Sequence, residues 1–149
     1  MNQDFVDLLR AFSDRRVEHL VVGAHALAAH GHVRATKDLD IWIRPTPENA
    51  ARAFQALIGF GAPTSDLEEA DLSTPGTVFQ IGVAPVRIDI LTRIDGVEFD
   101  EAWAARVPAS FGGASTAVLS KTHLIRNKRA AGRLQDLADV ERLERGEPD

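Results

Sequence analysis

Apolar residues along this chain change their spacing several times, and each change marks an element. Over residues 2–13, Phe5, Leu8, Leu9 and Phe12 recur at i, i+3, i+4 and i+7, the stripe of a helix that covers a sheet. Residues 17–22 read as a first strand, with Leu20, Val21 and Val22 continuously apolar and therefore buried. The chain turns at Gly23-Ala24, enters a short Ala-rich helix at 25–30 and stops at Gly31. From 38 to 43 the pattern becomes strict alternation, with Leu39, Ile41 and Ile43 on one face and Asp38 and Asp40 on the other. Thr46 reads as an N-cap with Pro47 at the first helical position, opening a helix that carries Ala50, Ala53, Phe54, Leu57 and Ile58 and ends at Gly59. Residues 59–76 hold several Gly, Pro, Ser and Thr and read as loop with at most a short helix.

Strands at 77–83 and 86–92 surround a turn at Ala84-Pro85. In the second, Arg87, Asp89 and Leu91 face one way, and Ile88 and Ile90 the other. A short helix at 99–106 is anchored by Phe99 and Trp103, Gly112-Gly113 marks a turn, and 117–119 a short strand. Ser120 caps a helix at 121–131 that Gly132 ends, and a last helix at 134–144 packs through Leu134, Leu137 and Leu143. Strands and helices alternate without repeat or linker. The expected class is α/β (α+β), a small mixed sheet flanked by helices, as one domain over 1–149 with its core at 17–119 and closing helices at 120–144.

Composition narrows the function. The 149 residues are 44% hydrophobic and 26% charged, the profile of an ordinary soluble domain with a real core. The chain has no Cys, which excludes disulfides, thiolate zinc sites and thiol nucleophiles. No apolar run approaches the roughly 18 residues of a membrane span. The start, MNQDFVDLLRAF, has acids and no small-residue cleavage site, so the expected location is cytoplasmic. A net charge of −5 argues against a surface that coats nucleic acid, though a local basic patch is compatible with it.

The chemistry concentrates between residues 21 and 43. Asp38 and Asp40 share a strand face roughly 6–7 Å apart. Two carboxylates pointing the same way in a Val/Ile-rich strand are costly unless a cation neutralises them, and hard oxygen ligands favour Mg²⁺ or Mn²⁺. Gly23-Ala24 lies between a strand and a helix N-terminus, where free backbone N–H groups can receive a phosphate. Asp89, on a separate apolar strand, can supply a third carboxylate. Three carboxylates can hold two divalent cations roughly 3.5–4 Å apart, an arrangement suited to phosphoryl transfer.

The stretches VVGA, KDLDIWI and VRIDILT, in this order, resemble the motifs of the DNA polymerase β-like nucleotidyltransferase superfamily. The longer run GAHALAAHGHVRATKDLDIWI is similar to small bacterial members related to the AbiEii toxins and the minimal nucleotidyltransferases. The run LIRNKRAAGRLQDLADVERL is similar to that group's closing helices. The resemblance spans roughly residues 17–143. It implies transfer of a nucleoside monophosphate from an NTP to an acceptor hydroxyl on an RNA end, a protein or a small molecule. Asp38, Asp40 and Asp89 would act as catalytic metal ligands for two Mg²⁺ or Mn²⁺ ions, and Gly23, Ala24 and Lys128 as nucleotide contacts. It also implies a role as a toxin–antitoxin component or as a resistance enzyme, which no residue here distinguishes, and, for so short a chain, a protein partner or homodimer that completes acceptor recognition. Ala24 departs from the superfamily's usual Ser or Gly, so a hydroxyl contact to phosphate is lost.

Other residues read two ways. Asp38 and Asp40 could be ordinary surface acids, but Asp is depleted in strands and two share one face. His25, His30 and His32 read as surface or second-layer histidines, since a carboxylate site needs no imidazole. Arg34 and Thr36 either line the cleft or fix a turn, and Trp42 packs in the core. Lys121, Arg126, Lys128, Arg129 and Arg133 read equally as a solvated helix face or as phosphate contacts, and Asp136 and Asp139 pair with them on the helical surface. Two rival functions remain: a nucleotide-binding module of the same fold without turnover, which Ala24 favours, and a nucleic-acid-binding domain using the basic C-terminal segment.

Overall fold

The computed structural model describes residues 1–33, 38–83 and 86–146, so Arg34, Thr36 and the Ala84-Pro85 turn lie outside the described residues. The elements run α1 (Gln3–Asp14), β1 (His19–Val22), α2 (Gly23–Ala29), β2 (Asp38–Ile43), α3 (Pro47–Phe60), β3 (Val78–Val83), β4 (Val86–Leu91), α4 (Phe99–Ala104), β5 (Val107–Phe111), β6 (Ala114–Val118), α5 (Lys121–Ala131) and α6 (Leu134–Arg145). A 3₁₀ helix at Glu69–Ser73 interrupts the loop after α3. The six strands form one mixed sheet in the order β3-β4-β2-β1-β6-β5. Strand β2 runs parallel to β4, and β1 to β6, while β1–β2, β3–β4 and β5–β6 are antiparallel.

The expected faces hold. Leu39, Ile41 and Ile43 are wholly buried, with Ile88 and Ile90 in register beside them. Helices α1 and α3 pack on each other and against β6 and β2. Asn2 caps α1 by accepting from the Asp4 N–H, and the stripe Phe5, Leu8, Leu9 and Phe12 is buried. Each such side chain contributes about 1.5–3 kcal/mol on burial. No helix among the described residues is long and apolar enough to cross a membrane.

Several expectations change. Helix α3 runs through Gly59 to Phe60, and Gly61 takes the left-handed C-cap at φ 94°. Ala56 is buried where Ile58 was expected, and Ile58 is exposed. Strand β5 and most of β6 were not expected from the sequence. VPASF contains a proline and little apolar alternation, and it is tolerated because β5 is an edge strand. Helix α6 turns away from its expected packing. Leu134 is 89% exposed and Leu137 is 47% exposed, whereas Asp136, Asp139, Val140 and Leu143 are buried. The two carboxylates turn inward because the ammonium of Lys128 on α5 meets them there.

Candidate active site

The site forms where β1 ends beside β2. Val22 pairs with Asp40 across the antiparallel ladder, and Asp40 lies opposite Asp89 on parallel β4. Cross-strand partners share a face, so the Asp40 and Asp89 carboxylates rise from the same side of the sheet. One step away Asp38 lies opposite Arg87, and on the outer side Gln80 of β3 lies opposite Asp89. The sheet thus brings Asp38, Asp40 and Asp89 together on one face, opposite the face that holds Leu39 and Ile41.

Gly23 follows Val22 at φ +68° and opens α2. A Cβ at this position would lie 2.5 Å from Asp40 Oδ2. Only glycine reconciles a left-handed backbone with a carboxylate that close. The local need for Gly23 is therefore clearance for Asp40, in addition to the turn. No side chain caps α2, and Ala24 sits in its first turn.

The carboxylates are electrostatically strained. Burial pushes the Asp40 carboxyl up to about 6, with further upward pressure from Asp89 and Asp38, while Arg87 and Arg133 pull it down. Burial likewise raises Asp89, against the pull of Arg87. The guanidinium of Arg87 bridges two of the three acids: one terminal nitrogen is 3.2 Å from Asp38 Oδ2, and Nε is 3.2 Å from Asp89 Oδ1. Both contacts are longer than the roughly 2.7–2.9 Å of a well-made charge-assisted hydrogen bond.

This donor set fits a hard divalent cation in its chemistry. It offers carboxylate oxygens alone and, in Asp40, a carboxyl driven towards its neutral form by burial and then by the charge of Asp89 and Asp38. As the side chains stand, no three carboxylates or histidines among the described residues converge closely enough to hold an ion.

A cavity of about 230 Å³ opens beside Asp40 and Gly23, lined on its other walls by Arg93, Asp95, Asn127, Lys128, Arg133 and Asp136. It joins the sheet face to the α5–α6 hairpin. Lys128 lines it but is nearly buried, with Nζ 2.9 Å from Asp139 Oδ2 and 3.5 Å from Asp136 Oδ1. Arg133, between the two helices, binds Asp136 through Nε at 2.6 Å, and its side chain is otherwise open to solvent. The acids of α6 are thus buried partners of Lys128, not surface pairs. A second cavity of about 330 Å³ shares Arg93 and Ile94 with the first and extends over Trp42 and Phe99. Trp42 itself is buried against Phe99 with ring centroids 4.9 Å apart.

The histidines are more buried than expected. His25 packs edge-on against Phe5 and Phe111, His30 Nε2 lies 2.8 Å from the Leu119 carbonyl oxygen, and His32 is buried. Sequence reasoning assigns no role to Arg87 or Arg93. Period-two alternation already placed Arg87 on the face of Asp89. Arg93 lies beyond the end of β4, where no periodicity points to it.

No protein-family model matches the sequence, and no curated protein matches it. Solved structures do match in three dimensions. A Thermotoga maritima protein provisionally assigned as a nucleotidyltransferase aligns over 97% of this chain and 93% of its own, with a TM-score of 0.57 and 16% identity. The lincosamide antibiotic adenylyltransferase LnuA, solved with lincomycin bound, aligns over 97% of this chain and 96% of its own, with a TM-score of 0.59 and 12% identity. At such identities the likeness is one of architecture, and the fold of this chain is the nucleotidyltransferase fold.

Proposed function

We propose that this protein is a metal-dependent nucleotidyltransferase that moves a nucleoside monophosphate from an NTP to an acceptor hydroxyl and releases pyrophosphate. The observation that carries the reading is the register of Asp40 with Asp89, with Gly23 clearing the space beside Asp40 at the mouth of a cavity that Arg93, Lys128 and Arg133 line together with Asp95 and Asp136. In this reading the triphosphate occupies that cavity. The backbone N–H groups of Gly23 and Ala24 and the guanidinium of Arg133 meet its oxygens. Lys128 contributes mainly by holding α5 and α6 together, because its ammonium is already paired. Asp38, Asp40 and Asp89 would hold two Mg²⁺ or Mn²⁺ ions. Bound there, such ions neutralise the phosphates and acidify the acceptor hydroxyl.

The acceptor oxygen forms its bond to the α-phosphorus as the bond to the pyrophosphate oxygen breaks. Asp89 orients the acceptor and takes its proton, and Gln80 lines the approach on the outer side. The acceptor class is an RNA end, a protein side chain or a small molecule. The same reading treats residues 1–149 as one cytoplasmic catalytic unit, with a toxin–antitoxin role and a partner protein or second copy assisting acceptor recognition. Incubation with each labelled NTP, Mg²⁺ or Mn²⁺ and cell extract tests it. One macromolecule or small molecule should become labelled, and Asp89→Asn should abolish the label. Absence of label with every NTP would overturn it.

A second reading, a nucleotide-binding module without turnover, draws on Ala24 and on the ion pairs Arg87 makes with Asp38 and Asp89. It expects NTP binding that is indifferent to Asp89→Asn, and no transfer.

A further inference from the structure

The acids of the site already have a cation, and it belongs to the chain. Arg87 is two residues before Asp89 on β4, so its side chain leaves the sheet on the same face. Its guanidinium is within 3.2 Å of an oxygen of Asp38 on one strand and of Asp89 on its own. A planar fork can span two carboxylates in a way that a point charge cannot. We propose that Arg87 is a resident counter-ion that stands in for a divalent cation and must swing out of the carboxylates for the cation to bind. This inference rests on the metal-dependent reading of the site.

Three observations support exchange over a fixed pairing. Both Arg87 contacts, at 3.2 Å, are longer than the roughly 2.7–2.9 Å of a well-made charge-assisted hydrogen bond. The Arg87 side chain is one-third exposed and has a route to solvent. The residue opposite it on β3 is Gly82, so no side chain on that strand fills the space beside the guanidinium. Gly82 is also required by its backbone, at φ +77° with the Val86 carbonyl oxygen 2.8 Å from where a Cβ would stand.

The consequence concerns affinity. In the wild type a divalent cation must compete with the guanidinium for Asp38 and Asp89. Removing the guanidinium should tighten cation binding, whereas a residue that merely orients Asp89 would loosen binding when removed.

Mn²⁺ binding, read by the electron paramagnetic resonance signal of the free ion, separates the two without any measurement of turnover. Arg87→Met should bind Mn²⁺ about tenfold more tightly than wild type, equivalent to roughly 1.4 kcal/mol. Arg87→Lys keeps the charge without the fork, should bind with intermediate affinity, and serves where the Met protein does not fold. In EDTA, Arg87→Met should melt below wild type, and Mn²⁺ should raise its melting temperature by more than it raises that of wild type. Unchanged or weaker Mn²⁺ binding in Arg87→Met, or Arg87→Lys indistinguishable from wild type, overturns the exchange. Asp40→Asn distinguishes the two levels of failure. If wild type binds Mn²⁺ no better than Asp40→Asn, the metal-dependent reading itself falls, and this inference with it. If binding depends on Asp40 but not on Arg87, only the inference falls.

Discussion

Replacing Asp40 with Asn should make the metal-free protein more stable at neutral pH while removing its response to metal. The Asp40 carboxyl titrates at about 6 in the folded protein, against 3.8 for the unfolded reference. An acid whose folded value is raised binds its proton more tightly when folded. Below pH 3.8 both states are protonated and the group contributes no difference. Between 3.8 and 6 the unfolded chain ionises first, so stability falls as pH rises, and above 6 the loss is complete. The gap of about two units corresponds to a penalty of about 3 kcal/mol at most. Asn has nearly the same shape and carries no charge, so it avoids this penalty. For a chain of this length about 3 kcal/mol is a rise of about 6–12 °C in melting temperature. Thermal denaturation in EDTA at pH 8 and near pH 4 would measure it. The variant should exceed wild type at pH 8, with the gain shrinking to less than about 1 kcal/mol near pH 4. Adding Mn²⁺ with an NTP should raise the wild type and leave Asp40→Asn unmoved. A variant no more stable than wild type at pH 8, or one whose gain is the same at both pH values, would refute the argument that neighbouring acids and burial strain Asp40.

Four other outcomes follow from the same geometry. Mg²⁺ or Mn²⁺ together with an NTP should raise the wild-type melting temperature more than either alone, since the site is neutralised only by both; additive shifts would contradict this. Gly23→Val should strongly lower NTP use and lower stability by at least about 1 kcal/mol, because the new Cβ meets Asp40 at φ +68°, whereas Ala24→Ser should tighten NTP binding in a fluorescent-nucleotide titration through one added hydroxyl contact. Lys128→Ala should lower stability in denaturant melts by about 1–3 kcal/mol, because buried Asp139 loses its ammonium while Asp136 keeps Arg133, a loss that a purely phosphate-binding lysine would not produce.

Much of the framework was legible in the sequence for physical reasons. Alternation in β2 and β4 fixes which side chains share a face, so the apposition of Asp40 and Asp89 needed only the pairing of those strands. Caps at Thr46 and Ser120 mark helix starts because orphan N–H groups need acceptors close in sequence. What the sequence left hidden depends on partners distant along the chain. Strand β5 is specified by its pairing with β6 and not by its own apolar pattern. The inward turn of Asp136 and Asp139 follows from the position of Lys128 on the neighbouring helix, and that reversal is what leaves Leu134 and Leu137 at the surface. Periodicity assigns leucines to the core by default, and a buried ion pair overrides that default.

The two charged clusters show opposite solutions to one problem. On α5 and α6, Lys128 and Arg133 meet Asp136 and Asp139, so charge is matched within the cluster and the hairpin is held closed. On the sheet, Arg87 is shared between Asp38 and Asp89, and Asp40 is buried beside both acids at the place where Gly23 keeps the backbone clear. A chain selected for stability alone would not keep that arrangement, because burying Asp40 next to two like charges lowers the stability of the native state. The cavity lies between the two clusters, with Asp40 on one wall and Lys128, Arg133 and their partner Asp136 on the other. A polyphosphate there would need cations on the Asp40 wall and would meet Arg133 on the other, which is why the cluster on the sheet, not the one on the hairpin, is the part of the molecule expected to respond to ligand.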